Sequence, residues 1–450
     1  MKDVNTRRAW RIGAVATLLS VALGSAAQSG LHWQGAAAAA GSTVPAAAPA
    51  PAPAAPQPPP RPAAVDVRTV DAVARQLVDG GRIPGLAVAI VQDGRVLSAR
   101  GYGVTDARGG EPIDAHTVFR LASLSKAFAG TVTGLLVNDG VLRWDSHLVD
   151  YLPDFRLSRP HAAEQVTVAD VLSHRVGLTR NAYDRDLEAD ADFHTLTRRL
   201  AEAPMTCAPG QCYAYQNVAF SLIGDVVFAA TGRFYSEEVA RRIFKPLGMH
   251  DASYGLEGIE ASARWARPHV RGRGGWVPLM PKPNYYRVAP AAGVNASISD
   301  MAQWLIAQTG HRPDVLPAPL LATLHTPVVE TPSEIRGSSW RRARLSDAGY
   351  ALGWRVYDYA GHQVVFHGGA VQGYRGAIAL LPERDLGIVL LWNSESALPS
   401  ALVPTLLDQA LGLTGGEWLD EDIEVPEPGL YAGKREAAGV EASAAQASPF

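Results

Sequence analysis

Ser123-Leu124-Ser125-Lys126 puts a hydroxyl and an amine three residues apart at what reads as a helix start. Apolar residues recur at helical spacing through Phe128, Val132, Leu135 and Leu136, and the run stops at Asn138-Asp139-Gly140. Residues i and i+3 share a helix face, so the Lys126 amine can reach the Ser123 hydroxyl. A serine is a poor nucleophile until a base takes its proton, and a lysine can serve only if burial or a second cation lowers its pKa. The helix start also carries unpaired backbone N–H groups where an oxyanion could form. Taken alone, the tetrad equally describes an exposed helix start with a solvated lysine.

Two further elements change that balance. Tyr215-Gln216-Asn217 leads into an apolar helix, Val218 to Ala230. A tyrosine facing a lysine can be held partly ionised and shuttle a proton, and the Asn217 side chain offers a donor and an acceptor to a substrate amide. His367-Gly368-Gly369-Ala370 closes the β-like run Gln363 to Phe366. Glycines after a strand let a substrate backbone approach, and the Ala370 N–H could be a second oxyanion donor beside that of Ser123.

In this order, Ser-x-x-Lys, Tyr-x-Asn and His-x-Gly, the chain resembles the serine β-lactamase and penicillin-binding protein family, in its class C and DD-peptidase-like branch. The resemblance spans about residues 67–412. Pro84 to Val91, Leu172-Ser173-His174-Arg175-Val176-Gly177-Leu178, Ile243 to Met249, Ala291 to Ser297 and Leu352-Gly353-Trp354 also carry it. It implies Ser123, Lys126 and Tyr215 as catalytic residues, with Asn217, His367, Gly369 and Ala370 binding substrate, an acyl-enzyme mechanism, and no metal or organic cofactor. The departure is His367, where many relatives carry lysine. A lysine there is a permanent cation, whereas histidine is mostly neutral at pH 7. That brings the chain closer to DD-peptidase, D-amino-acid amidase and esterase relatives than to efficient β-lactamases. Arg375 could supply the missing charge or be an ordinary surface arginine. His174 reads as a structural landmark bonding loop backbone.

Among 450 residues, 47% are apolar and the formal charge is −3, enough for a large core and too balanced to suggest nucleic acid as a partner. A small-molecule or peptide substrate suits that balance. Arg7, Arg8 and Arg11 precede an apolar run from Ile12 to Leu23, with small residues at Ser25-Ala26-Ala27, so residues 1–27 read as a secretory signal peptide. Left uncleaved, the segment would be a membrane tether; cleaved, it predicts a periplasmic or secreted protein. Residues 28–64, rich in Ala and Pro, read as a disordered linker, and 425–450 as a disordered tail. Cys207 and Cys212 are the two cysteines. Outside the cytoplasm they fit a disulfide that stiffens the loop delivering Tyr215, and two cysteines alone make a poor metal site.

The elements that must position these residues begin with a helix from Val67 to Gly80. Two strands, Leu86 to Gln92 and Arg95 to Gly101, join through Asp93-Gly94. Strands return at Gly353 to Tyr359, Gln363 to Phe366, Gly376 to Leu381 and Gly387 to Trp392, followed by a helix to Leu411. The fold class is therefore α/β (α+β): one antiparallel sheet built from both ends of a 65–424 domain, flanked by helices, with a mainly helical region inserted at about 145–345. The active site should lie at the seam.

Three activities fit: hydrolysis of β-lactam or D-alanyl peptide-type amides, esterase or D-amino-acid amidase action on small acyl substrates, and a slowly deacylating penicillin-binding sensor. A Gly-x-Ser-x-Gly elbow, the mark of α/β-hydrolases, is missing. Trp265, Trp276, Trp304 and Trp340 read as core packing or an acyl pocket, and Arg341-Arg342-Arg344 as a solvated loop.

Overall fold

A computed structural model describes residues 65–419; the expected leader, linker and tail lie outside the described residues. The hairpin forms as its turn demands. Asp93 and Gly94 both take positive φ (50° and 68°), the conformation that matches the right-handed twist of two strands, β1 (Gly85–Gln92) and β2 (Arg95–Gly103). The remaining strands of the sheet are β3 (Val329–Glu330), β4 (Leu345–Tyr350), β5 (Arg355–Tyr359), β6 (His362–Val371), β7 (Tyr374–Leu381) and β8 (Leu386–Trp392). All pair antiparallel, in the spatial order β2-β1-β8-β7-β6-β5-β4-β3, so the first and last strands of the described residues lie side by side, second and third from the β2 edge.

Every residue of β1 and β8 is buried, which explains why both read as continuous apolar runs and not as alternations. One face carries Leu86, Val88 and Ile90 against α1 (Val67–Asp79) and the closing helix Leu402–Leu411. The other carries Ala87, Ala89 and Val91 against α2 (Ser125–Asn138) and the helix Ile298–Gln308. Helix α2 is apolar nearly all round because it is a core helix. Its Phe128 stacks on Trp304, 4.0 Å between ring centroids. Burial of each such ring contributes about 1.5–3 kcal/mol.

The sheet extends beyond the sequence reading. Strands β3 and β4 lie in a stretch with no alternating pattern. Strand β6 does not stop at Phe366: its residues His362–Phe366 pair with β5, while His367–Val371 continue and pair with β7. The Gly-Gly pair is therefore within the strand and not after it. On the β5 side, residues 367–371 have no partner among the described residues. The inserted region is mainly helical with a few short strands. It holds the hairpin His269–Gly272/Gly275–Pro278 and two short strands, Ser253–Tyr254 and Val294–Ser297, the latter pairing with Val118–Arg120 that precedes the region.

Candidate active site

Ser123 sits in a 3₁₀ turn, Ala122–Leu124, between the strand Val118–Arg120 and α2. Ala122 is held at φ +50°, a left-handed conformation costing an L-residue roughly 1–2 kcal/mol. The segment Ala291–Val294 braces this turn: Leu121 N–H donates to Val294 O, and Val294 N–H to Ser125 Oγ, at 2.9 and 3.0 Å.

Lys126 is completely buried. Its Nζ lies 3.2 Å from Ser123 Oγ, 2.8 Å from Asn217 Oδ1 and 3.1 Å from Ala291 O. Burial pushes its pKa well below the usual lysine value; Asp184 opposes that and the Arg355 guanidinium adds to it. A neutral amine has two N–H donors, matched by the two carbonyl-type oxygens, and one lone pair, matched by the serine hydroxyl.

Tyr215 donates its O–H to Ser123 Oγ at 2.9 Å, and Lys126 Nζ stands 4.6 Å over its ring. The expectation of a partly ionised phenol is corrected here. The lysine meets the ring and not the oxygen, and burial raises the phenol pKa, with Arg355 and the Ser123 hydrogen bond only partly opposing it. Tyr215 is a neutral donor. The Cys207–Cys212 disulfide is present in the loop leading to it.

Asn217 accepts from Lys126 and donates from Nδ2 to Asp184 Oδ2 at 2.7 Å, leaving one amide N–H for a substrate. Gly369 lies against the nucleophile's turn: a Cβ there would sit 2.5 Å from Leu121 O and 3.4 Å from Ser123 N. Ala370 is exposed on the same unpaired edge.

His367 departs from its expected role. Its side chain is fully buried, with Nε2 against Tyr350 Oη at 3.1 Å and Nδ1 against Gly368 O at 2.9 Å, and it does not line the cleft. Burial holds its pKa well below that of a free imidazole, helped by Arg355 and Lys126, so it supplies no cation. His174, also buried, bonds loop backbone as expected through Gln216 N–H.

The cleft over Ser123 has a volume of about 570 Å³ and is walled by Tyr215, Asn217, Tyr285, Gly368, Gly369, Ala370 and Arg375. It also contains residues the motifs did not flag. Arg355, at the start of β5, pairs with Glu334 at 2.5 Å and lies 5.5 Å over the Tyr215 ring. It directly follows Leu352-Gly353-Trp354, so that landmark was its one sequence signal. Asp184 has a buried Oδ1 with no partner among the described residues, and burial raises its pKa. Nothing in its sequence surroundings marks it.

Trp340 lines the cleft, whereas Trp304 is core. The arginine cluster is not a solvated loop: it lies on the helix Ser339–Arg344, with Arg341 paired to Glu334 and Arg344 to Asp408.

This fold and cleft define a serine hydrolase. The beta-lactamase family profile matches residues 70–411, and the chain belongs to that family. An unguisins hydrolase of Aspergillus campestris is 28% identical over 371 residues, covering 78% of this chain and 68% of its own length. Other curated relatives are covered over 64% of theirs, so the chain spans about two thirds of these proteins. Two solved structures share the fold. The octameric penicillin-binding protein homologue of Pyrococcus abyssi has a TM-score of 0.69 at 24% identity, covering 79% of each chain. The D-amino acid amidase of Ochrobactrum anthropi has 0.61 at 21%, covering 77% of this chain and 98% of that one.

Proposed function

We propose that the protein is an exported amide hydrolase that forms an acyl-enzyme on Ser123 and cleaves D-alanyl peptide-type amides, with β-lactams as acylating analogues. The observation that carries this reading is the convergence of a buried amine and a phenol on one serine oxygen. Ser123 Oγ attacks the carbonyl carbon while its proton passes to Lys126 Nζ. The N–H groups of Ser123 and Ala370 receive the oxyanion. The proton reaches the leaving nitrogen through Lys126 and Tyr215, which act as a coupled pair, and the C–N bond breaks. Water then attacks the ester, its proton returning through the same pair, to release the acid and restore Ser123.

The neutral His367 leaves no permanent cation at that position to draw the carboxylate that D-alanyl peptides and β-lactams both carry. Arg375, half-buried at the cleft wall, is the candidate to meet one. The leader-like N-terminus and the disulfide support a periplasmic or secreted location.

The test is an intact-mass time course with a fluorescent penicillin, a D-alanyl-D-alanine peptide and a p-nitrophenyl ester. Peptide turnover with a transient or stable penicillin adduct on Ser123 supports the reading. A stable adduct without any turnover supports a sensor. Rapid turnover of the ester alone, with no penicillin adduct, replaces the reading with a small-acyl esterase.

A further inference from the structure

Three fully buried side chains beside the cleft take no part in the proton transfers above: His174, Tyr350 and His367. They form one hydrogen-bonded line. Gln216 N–H meets His174 Nδ1 at 3.2 Å, and His174 Nε2 meets Tyr350 Oη at 3.1 Å. Tyr350 Oη meets His367 Nε2 at 3.1 Å, and His367 Nδ1 meets Gly368 O at 2.9 Å. The ends fix its direction, because a backbone N–H can only donate and a carbonyl can only accept. His174 must therefore carry its proton on Nε2, Tyr350 must donate to His367, and His367 must carry its proton on Nδ1. A second proton on His174 would point at the Gln216 N–H, and a second proton on His367 would point at the Tyr350 hydroxyl hydrogen.

Both ends lie in the reaction site. Gln216 stands between Tyr215 and Asn217, and the His174 ring packs on the Tyr215 ring, 4.3 Å between centroids. Gly368 precedes the edge residues Gly369 and Ala370. We propose that His174, Tyr350 and His367 are positioning residues, a neutral strut of fixed polarity that sets the separation between the Tyr215 phenol and the oxyanion-binding edge of β6. This gives His367 a purpose that a lysine could not serve, since an ammonium has no acceptor for the Tyr350 hydroxyl.

The strut is tested by long-range ¹H–¹⁵N correlation of the imidazoles in the full chain, free of substrate. His174 as the Nε2–H tautomer and His367 as the Nδ1–H tautomer at pH 7 are expected. The opposite tautomer at either ring, or an imidazolium, overturns it. The rate arm rests on the function proposed above and uses whichever substrate acylates the wild type. Tyr350→Phe, which keeps the ring, should slow acylation at least about tenfold with KM within about threefold. His174→Asn keeps an acceptor for Gln216 N–H while cutting the line to Tyr350, and should do the same. Wild-type acylation rates in a folded variant overturn the positioning role. Because tautomers are read without substrate, a failure of the Ser123 reading and a failure of the strut are separately visible.

Discussion

Gly369→Ala should cripple the reaction while Gly368→Ala, one residue earlier, should not. A Cβ at 369 falls 2.5 Å from the Leu121 carbonyl oxygen, which belongs to the turn carrying Ser123. Ordinary contact lies near 3.5 Å, so strand and turn must part by about 1 Å. That widening acts on the gap between the Ser123 and Ala370 N–H groups, and an oxyanion donor displaced by 1 Å is effectively lost. The expected cost is ~10²–10³ in kcat, or about 2.7–4 kcal/mol. At 368 the nearest atoms to an added Cβ are those of the Phe366 ring, at 3.7 and 3.8 Å, which is ordinary contact. Acylation rates from a p-nitrophenyl ester or penicillin, with melting curves for both variants, decide the matter. Gly369→Ala within about threefold of wild type, or Gly368→Ala equally damaged, would refute the reasoning.

Other expectations follow from the same geometry. Ser123→Ala should fold, by unchanged circular dichroism, and give no covalent adduct by intact mass; an adduct elsewhere on the protein would move the nucleophile. Because burial depresses the Lys126 pKa, the neutral amine persists below the usual lysine range and is lost only as pH falls through its lowered pKa. The kcat/KM profile should therefore fall on the acid side with an apparent midpoint well below the usual lysine value; a midpoint in the usual lysine range would mean an ordinary lysine. Cys207→Ser with Cys212→Ser opens a short loop and should cost about 2 kcal/mol, read from urea midpoints, with a loss of kcat exceeding any change in KM. An unaltered midpoint would show that the bond does not constrain the unfolded chain.

The sequence made Ser123, Lys126 and Tyr215 legible because their chemistry resides in residue type and local spacing. Lys126 shares a helical side with Ser123, and Tyr215 opens a helix with its own apolar signature. The turn at Asp93-Gly94 and the two hairpin strands that it joins were legible for the same local reason. Other features depended on contacts distant in the chain. Asp184 matters through Asn217, and Arg355 through Glu334 and the Tyr215 ring, neither being a neighbour in sequence. His367 was identified as a residue type, but its orientation depends on Tyr350, seventeen positions earlier. Gly368-Gly369 read as lying after the strand, because glycine usually ends a strand pattern. At Gly369 it is there because a backbone carbonyl from another element fills the space of a side chain.

The unpaired stretch of β6, residues 367–371, has a further consequence. Five residues of strand extend about 17 Å, room for a few residues of extended chain of the kind proposed as substrate. Such a ledge grips a ligand by its amide groups, which all peptides share, and is therefore indifferent to much of what distinguishes one amino acid from another. Handedness is different: inverting a stereocentre swings its substituent from one side of the ledge to the other. On the function proposed above, an enzyme built this way would sort its substrates by chirality and length before it sorts them by side chain.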